Sequence, residues 1–303
     1  NFAGFGSSAY MTDDKAYVAE AGRSRFFVFD RSGTTWSESG IVTSALIDVQ
    51  SNLGETMSVN GDWMLLTSSQ AYNAGAYAGA GVMYENIAGT WTEHSLLTAS
   101  NAAAGDYFGN SGALFGTTAA IGVELNDASG ADAGAVYIYD YDGASWNESQ
   151  IIIPGDIAAG DHFGRYIDID HNTMAISASW QNSDTGAVYV YVRENEDDEW
   201  TLQEKIISSL GSNGQKFGHG FDLKGNTLVV GAWSIDSPYN SGRIYVYTRD
   251  NATSTWSEET SFASNDAASD DRFGYSVTLY DDNKLLIGEY YDNEFVSTGG
   301  AYQ

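Results

Sequence analysis

Trp180, Trp233 and Tyr290 open three stretches of the same make-up, in which a large aromatic is followed by amides and carboxylates. Asn182 and Asp184 follow the first, Asp236 the second, and Asp292 and Asn293 the third. An aromatic face beside Asp and Asn is the chemistry a carbohydrate asks for: the ring meets sugar C–H groups while the polar groups fix hydroxyls. The plain alternative is that the aromatics cover strand ends and the polar residues form turns. Repetition at one place in a pattern favours a site for the set. A second grouping, Asp168, Asp170 and Asn172, spaces oxygen ligands as a cation loop does. It lacks the glycine and the downstream acid that such a loop uses, so a hard cation wanting six to eight oxygens would be underserved.

Other reaction chemistries find little footing. His94, His162, His171 and His219 fall at unrelated places with no metal-ligand spacing. There is no cysteine, no Gly-x-Ser-x-Gly elbow and no Gly-Lys-Ser/Thr phosphate loop. With 41 carboxylates, some pair would stand at glycosidase separation by chance alone. The expectation is a protein without catalytic activity, with a glycan-active enzyme as the third choice.

The elements that must hold these residues recur along the chain. Trp36, Trp91, Trp146, Trp200 and Trp256 follow one another every 54 to 56 residues. Phe-Gly stands at Phe5, Phe108, Phe163, Phe217 and Phe273, and Leu53-Gly54 fills the gap. A fixed period of this size marks solenoids, propellers or arrays. Each repeat predicts four strands. The second is a continuous apolar run such as Leu228-Val229-Val230-Gly231, the third alternates as in Gly186-Ala187-Val188-Tyr189-Val190-Tyr191, and the fourth is polar and opens at the Trp. That is the pattern of a propeller blade. In such a blade the long second-to-third loops and the blade-linking loops share one face, where binding usually lives.

Phe273-Gly274-Tyr275-Ser276-Val277, Val229-Val230-Gly231-Ala232 and the run from Gly186 to Tyr191 together resemble the FG-GAP repeat of integrin α-subunit heads and of many microbial extracellular proteins. The resemblance covers essentially the whole chain. It implies an all-β fold, a β-propeller with six four-stranded blades opening near residues 5, 53, 108, 163, 217 and 273, forming a single domain over 1–303. The last blade shows three strands, so the chain is either a six-bladed ring with a short blade or a piece of a seven-bladed one. The resemblance also raises calcium, which integrin-type blades hold in Asp-rich loops. Asp168, Asp170 and Asn172 are the nearest match here, and calcium is the one cofactor to be expected.

Within the blade, each Trp reads as an anchor between sheets, and each Phe as a plug between blades with glycine easing the close approach. Asp106, Asp161 and Asp271, two residues before Phe, read as turn acceptors for nearby backbone N–H groups, with Gln215 in the fifth repeat.

The balance of 13 basic against 41 acidic residues, a net charge of −28, disfavours nucleic acid and anionic membranes as partners. No stretch is long enough for a membrane-spanning helix, and an Asn at position 1 fits a processed or excerpted chain. The expected function is an extracellular module, secreted or at the cell surface, that recognises a glycan or a glycosylated cell-surface or matrix protein. The alternative is a structural subunit of a matrix, filament or surface layer, self-associating through the incomplete last blade.

Overall fold

The computed structural model describes residues 4–48, 51–72, 75–235, 240–281, 284–290 and 301–302. The chain falls into two compact units, Asn1–Pro154 and Gly155–Gln303.

The first unit holds three four-stranded antiparallel sheets whose strand order follows the sequence. They are β1 (Phe5–Met11) to β4 (Thr35–Thr43) through β2 (Lys15–Glu20) and β3 (Arg25–Ser32); then β5 (Met57–Asn60), β6 (Trp63–Ser68), β7 (Ala80–Ile87) and β8 (Thr90–Leu97); then β9 (Ser111–Phe115), β10 (Thr118–Val123), β11 (Ala135–Tyr141) and β12 (Trp146–Ile152). The second unit repeats the plan with β13 (Ile167–Asp170), β14 (Thr173–Ala178), β15 (Ala187–Val192) and β16 (Thr201–Ile206); then β17 (Phe217–Lys224), β18 (Thr227–Ala232), β19 (Arg243–Thr248) and β20 (Ser257–Phe262). Its last sheet has three described strands, β21 (Phe273–Asp281), β22 (Lys284–Glu289) and β23 (Ala301–Tyr302). Each four-stranded sheet has the build of a propeller blade, as the sequence pattern predicts.

Strand character follows composition. Every residue of β10 and β14 is buried, as the continuous apolar runs require, whereas β20 is mostly exposed. All five four-stranded sheets carry one register shift at the same place between third and fourth strands, for example Val190/Tyr191 and Val246/Tyr247. The extra residue increases local twist, which suits sheets that pack face to face in series.

The Phe-Gly pair and the glycine opening each third strand turn out to be two halves of one contact. Gly79, Gly186 and Gly242 form parallel bridges with Phe108, Phe217 and Phe273 of the following sheet. The Phe N–H groups donate to the carbonyls of Ala78, Thr185 and Ser241 at 3.1, 3.1 and 2.9 Å. A Cβ on Gly186 would stand 2.2 Å from the Phe217 carbonyl oxygen, and one on Gly242 would stand 2.0 Å from that of Phe273. No side chain fits there. The approach drives Phe108, Phe217 and Phe273 into full burial against Tyr137, Tyr245 and Phe262 respectively.

The tryptophans anchor neighbouring sheets. Trp91 meets Tyr17 edge-on at 5.6 Å and Trp146 meets Trp63 at 5.2 Å, while the Trp256 backbone N–H donates to Glu204 and its indole N–H to Gln203. Asp106, Asp161 and Asp271 accept from the backbone N–H three residues earlier, as expected, and Gln215 instead donates to Ser208. The first sheet departs from the rest: Phe5 is 59% exposed and Trp36 37% exposed.

Candidate functional site

The residue just before Phe and the residue just after Gly frame the site. Tyr107, His162, Lys216 and Arg272 occupy the first place, each with a left-handed backbone (φ 59, 54, 56 and 59°). This conformation costs a non-glycine residue about 1–2 kcal/mol, and at Tyr107, Lys216 and Arg272 the backbone hydrogen bond of the adjoining Phe holds it. Lys216 and Arg272 meet the aromatics that follow the second strand of the preceding sheet, Trp180 and Trp233, while Tyr107 stacks on Tyr77. Arg165, His219 and Tyr275 occupy the second place in the same three sheets of the second unit.

Trp180, 40% exposed, receives the Lys216 ammonium 3.4 Å from its ring centre and lies 5.0 Å from the His162 ring. Lys216 is itself nearly covered and pairs with Asp184 at 2.8 Å. Between Trp180 and Gly186 the chain makes a tight turn in which Asn182, Ser183 and Asp184 are all left-handed (φ 53, 58 and 66°). Hydrogen bonds from Gly214 N–H to Ser183 O and from Lys216 N–H to Asp184 O hold it, so the neighbouring blade-linking segment determines this strained loop.

Trp233 is half-buried, with the Arg272 guanidinium 4.6 Å above its ring. The same guanidinium lies 5.6 Å from the Tyr290 ring, which stacks on Tyr275 at 4.7 Å and is 50% exposed. His219 sits at the middle, 4.5 Å from Tyr275, 5.1 Å from Tyr166 and 5.6 Å from Trp233. Its Nδ1 donates to the Tyr275 carbonyl at 3.3 Å, leaving Nε2 to accept from the Tyr166 hydroxyl at 3.4 Å. Burial first, then the charge of Arg165 with those of Lys216 and Arg272, pushes its pKa down to about 4, so the ring is neutral at ordinary pH. The sequence-singled residues Trp180, Asn182, Asp184, Trp233 and Tyr290 thus lie in one unit among three cations. Asp236, Asp292 and Asn293 lie outside the described residues.

The expected cation ligands have another task. Asp168 accepts from Leu223 N–H at 2.8 Å, Asp170 from Gly225 N–H, and the Asn172 amide donates to Glu194 O at 3.0 Å. Asp222 repeats the device toward Leu279 N–H at 2.6 Å. Innermost strands of successive sheets are joined by these side-chain bridges. Burial first, then the neighbouring Asp222 carboxyl, raises the Asp168 pKa well above the usual carboxylate range, and burial raises that of Asp222. No group of three or more His, Cys, Asp and Glu that could hold a metal occurs among the described residues. No described helix is long and apolar enough to cross a membrane.

Sequence reasoning missed Arg165, Lys216, His219, Arg272 and Tyr275. The available signal was the Phe-Gly register itself, because three of only 13 basic residues sit within two positions of a Phe-Gly.

Comparisons agree with this architecture. The FG-GAP repeat matches residues 91–139, 146–191, 200–247 and 256–302, each stretch running from a fourth strand through the next sheet's third. No curated protein matches the chain. Among solved structures, a functionally unknown protein from Desulfotomaculum acetoxidans is 11% identical, with a TM-score of 0.57 over 98% of this chain and 84% of its own. A protein from Lactobacillus plantarum is 17% identical, with a TM-score of 0.55 over 83% of this chain and 68% of its own. A provisionally named 6-phosphogluconolactonase from Bacteroides uniformis is 9% identical, with a TM-score of 0.64 over 98% and 84% of the two chains. At such identities the likeness is one of fold alone. With four consecutive matches in register across more than half its length, the chain belongs to the FG-GAP repeat family.

Proposed function

We propose that this protein is an extracellular, non-catalytic module that binds a glycan or glycosylated surface partner through the loops around Trp180, Trp233 and Tyr290. The observation carrying this reading is that the three aromatics, at equivalent repeat positions, lie in one unit with Trp180 and Tyr290 open to solvent and strained polar loops beside them. The exposed parts of the Trp180 and Tyr290 rings, beside the fixed polar groups of the loops, are the surface such a ligand would use. Calcium is at most a support at another place, since Asp168 and Asp170 are engaged in inter-strand bridges.

A glycan array at millimolar calcium, repeated with a Trp180→Ala/Tyr290→Ala double variant, tests it. Binding by the parent and its loss in a folded double variant is the expected result. Silence of the parent across the array sinks the reading. A second reading, a self-associating structural subunit, is favoured by the first sheet, where Phe5, Met11 and Trp36 leave apolar surface open. Sedimentation velocity across salt and calcium decides it, a strict monomer counting against association.

A further inference from the structure

We propose that Asn251 is a modification site, the acceptor of an N-linked oligosaccharide, and that Asn147 is not. The proposal rests on the extracellular part of the reading above, because such acceptors are surface Asn residues of secreted chains.

The acceptor pattern, an Asn with a hydroxyl residue two places on, occurs twice, as Asn147-Glu148-Ser149 and Asn251-Ala252-Thr253. The sugar is carried on the amide nitrogen, so that atom must be free in an exposed loop. Asn251, Ala252 and Thr253 are all exposed. The Thr253 hydroxyl donates to Asn251 Oδ1 at 2.7 Å, and the Thr253 backbone N–H donates to the same oxygen at 3.0 Å. The side chain thus closes an Asx turn that engages only its oxygen. Nδ2 has no partner among the described residues. The turn is firmly seated: Gln203 and Arg249 donate to the Ala252 carbonyl at 2.7 and 3.2 Å, and the Arg249 guanidinium lies 4.5 Å from the Trp256 ring.

Asn147 is arranged the other way. It stands in β12, and its Nδ2 donates to Asp142 Oδ2 at 3.0 Å and to Ser145 O at 3.2 Å. The Ser149 hydroxyl donates to Asp140 Oδ2 at 2.5 Å and not to Asn147. Both amide hydrogens are used, and the hydroxyl is taken elsewhere. Position also suits Asn251. β19 runs from the connection that begins at Trp233 to the one that holds Asn251, so six strand residues, about 20 Å, separate the two. An oligosaccharide there leaves the loop at Trp233 clear.

The donor is a lipid-linked oligosaccharide pyrophosphate. A bond forms from Asn251 Nδ2 to the anomeric carbon, and the bond from that carbon to the pyrophosphate oxygen breaks. The amide gives up one proton, and the lipid pyrophosphate leaves with the electron pair.

The test incubates the folded full chain with a solubilised oligosaccharyltransferase and that donor. Intact mass counts the glycans, and peptide mapping after enzymatic deglycosylation in heavy-oxygen water marks each occupied Asn as a labelled Asp. One glycan on Asn251 and none on Asn147 is expected. Thr253→Ala should abolish the modification and Thr253→Ser should retain it. Ser149→Thr, which equalises the hydroxyl residue, should bring none to Asn147. An unmodified Asn251 beside a control glycoprotein accepted in the same mixture overturns the proposal, and so does equal occupancy of the two Asn residues. Because enzyme and donor are supplied, either failure counts against Asn251 alone and leaves the extracellular binding reading to its own test.

Discussion

The loops flanking Phe-Gly carry opposite chemistry in the two units on one backbone plan. In the second unit Lys216 and Arg272 precede Phe, and Arg165 and His219 follow Gly. In the first, Tyr107 precedes Phe and stacks on Tyr77 at 5.7 Å, while Asn110 follows Gly and accepts from Glu124 N–H at 3.1 Å. The sheet before it places Glu55 there, with a pKa raised chiefly by burial and further by Glu124. Position and left-handed backbone are the same, so the scaffold fixes where these side chains stand. Only their identity decides whether the surface is anionic and aromatic or cationic and aromatic.

The shared scaffold should break hardest. Gly186→Ala puts a methyl 2.2 Å from a backbone oxygen at φ +83°, whereas Gly225, at φ +57°, has nothing within 4 Å. Urea unfolding should show a loss of at least about 4 kcal/mol for the first and about 1 kcal/mol for the second. Equal losses would mean that the Gly–Phe approach is not what joins the sheets. Phe217→Ala comes next, at about 3–5 kcal/mol, because the ring is fully buried; Phe5→Ala should cost less than about 1 kcal/mol.

Two titrations then separate the second unit from the first. His219 has its pKa lowered to about 4, so the native state favours the neutral ring. Its stabilising contribution is present above the unfolded pKa of about 6.5 and is lost as pH falls toward 4, about 3 kcal/mol in all. His219→Gln should flatten that part of the stability–pH curve, and a parent curve without an acid slope between those values would remove the effect. The buried Asp168–Asp222 pair has the reverse sign: its pKa is raised, so its contribution is present below the usual Asp range and lost as pH rises through the shifted value. Asp168→Asn keeps an acceptor for Leu223 N–H without a charge, and should stabilise the protein at pH 7 by about 1 kcal/mol with no gain near pH 4. A destabilised Asn variant at pH 7 would show that the carboxylate is needed ionised.

The smallest stability effect carries the sharpest comparison. Lys216→Tyr copies Tyr107 into the second unit. It should change stability by less than about 1 kcal/mol, since one aromatic contact replaces a cation over Trp180, while thermal melts show whether the turn at Asn182–Asp184 survives. A loss of several kcal/mol would mean that the Lys216–Asp184 pair, and not the backbone, holds that turn.

The repeat was legible because it is local. The Trp period, the Phe-Gly pairs and the alternation in runs such as Gly186–Tyr191 gave strand number, strand character and the anchoring role of Trp91, Trp146 and Trp256, each set by which face of a strand can be buried. The aromatic positions Trp180, Trp233 and Tyr290 were legible for the same reason. Asp168 and Asp170 read as cation ligands because spacing reports oxygen atoms and not their partners; those partners, Leu223 and Gly225, belong to the next sheet.

Sequence by itself determined an all-β chain of FG-GAP repeats with long loops rich in aromatic and polar residues, since burial periodicity and glycine sterics act within a few residues. Only tertiary structure decided that Lys216 covers Trp180, that Arg272 covers Trp233, and that His219 is neutral among three cations. Those contacts join residues of successive sheets, and the electrostatics of a site depends on distance and burial in space, which the order of residues along a strand does not record.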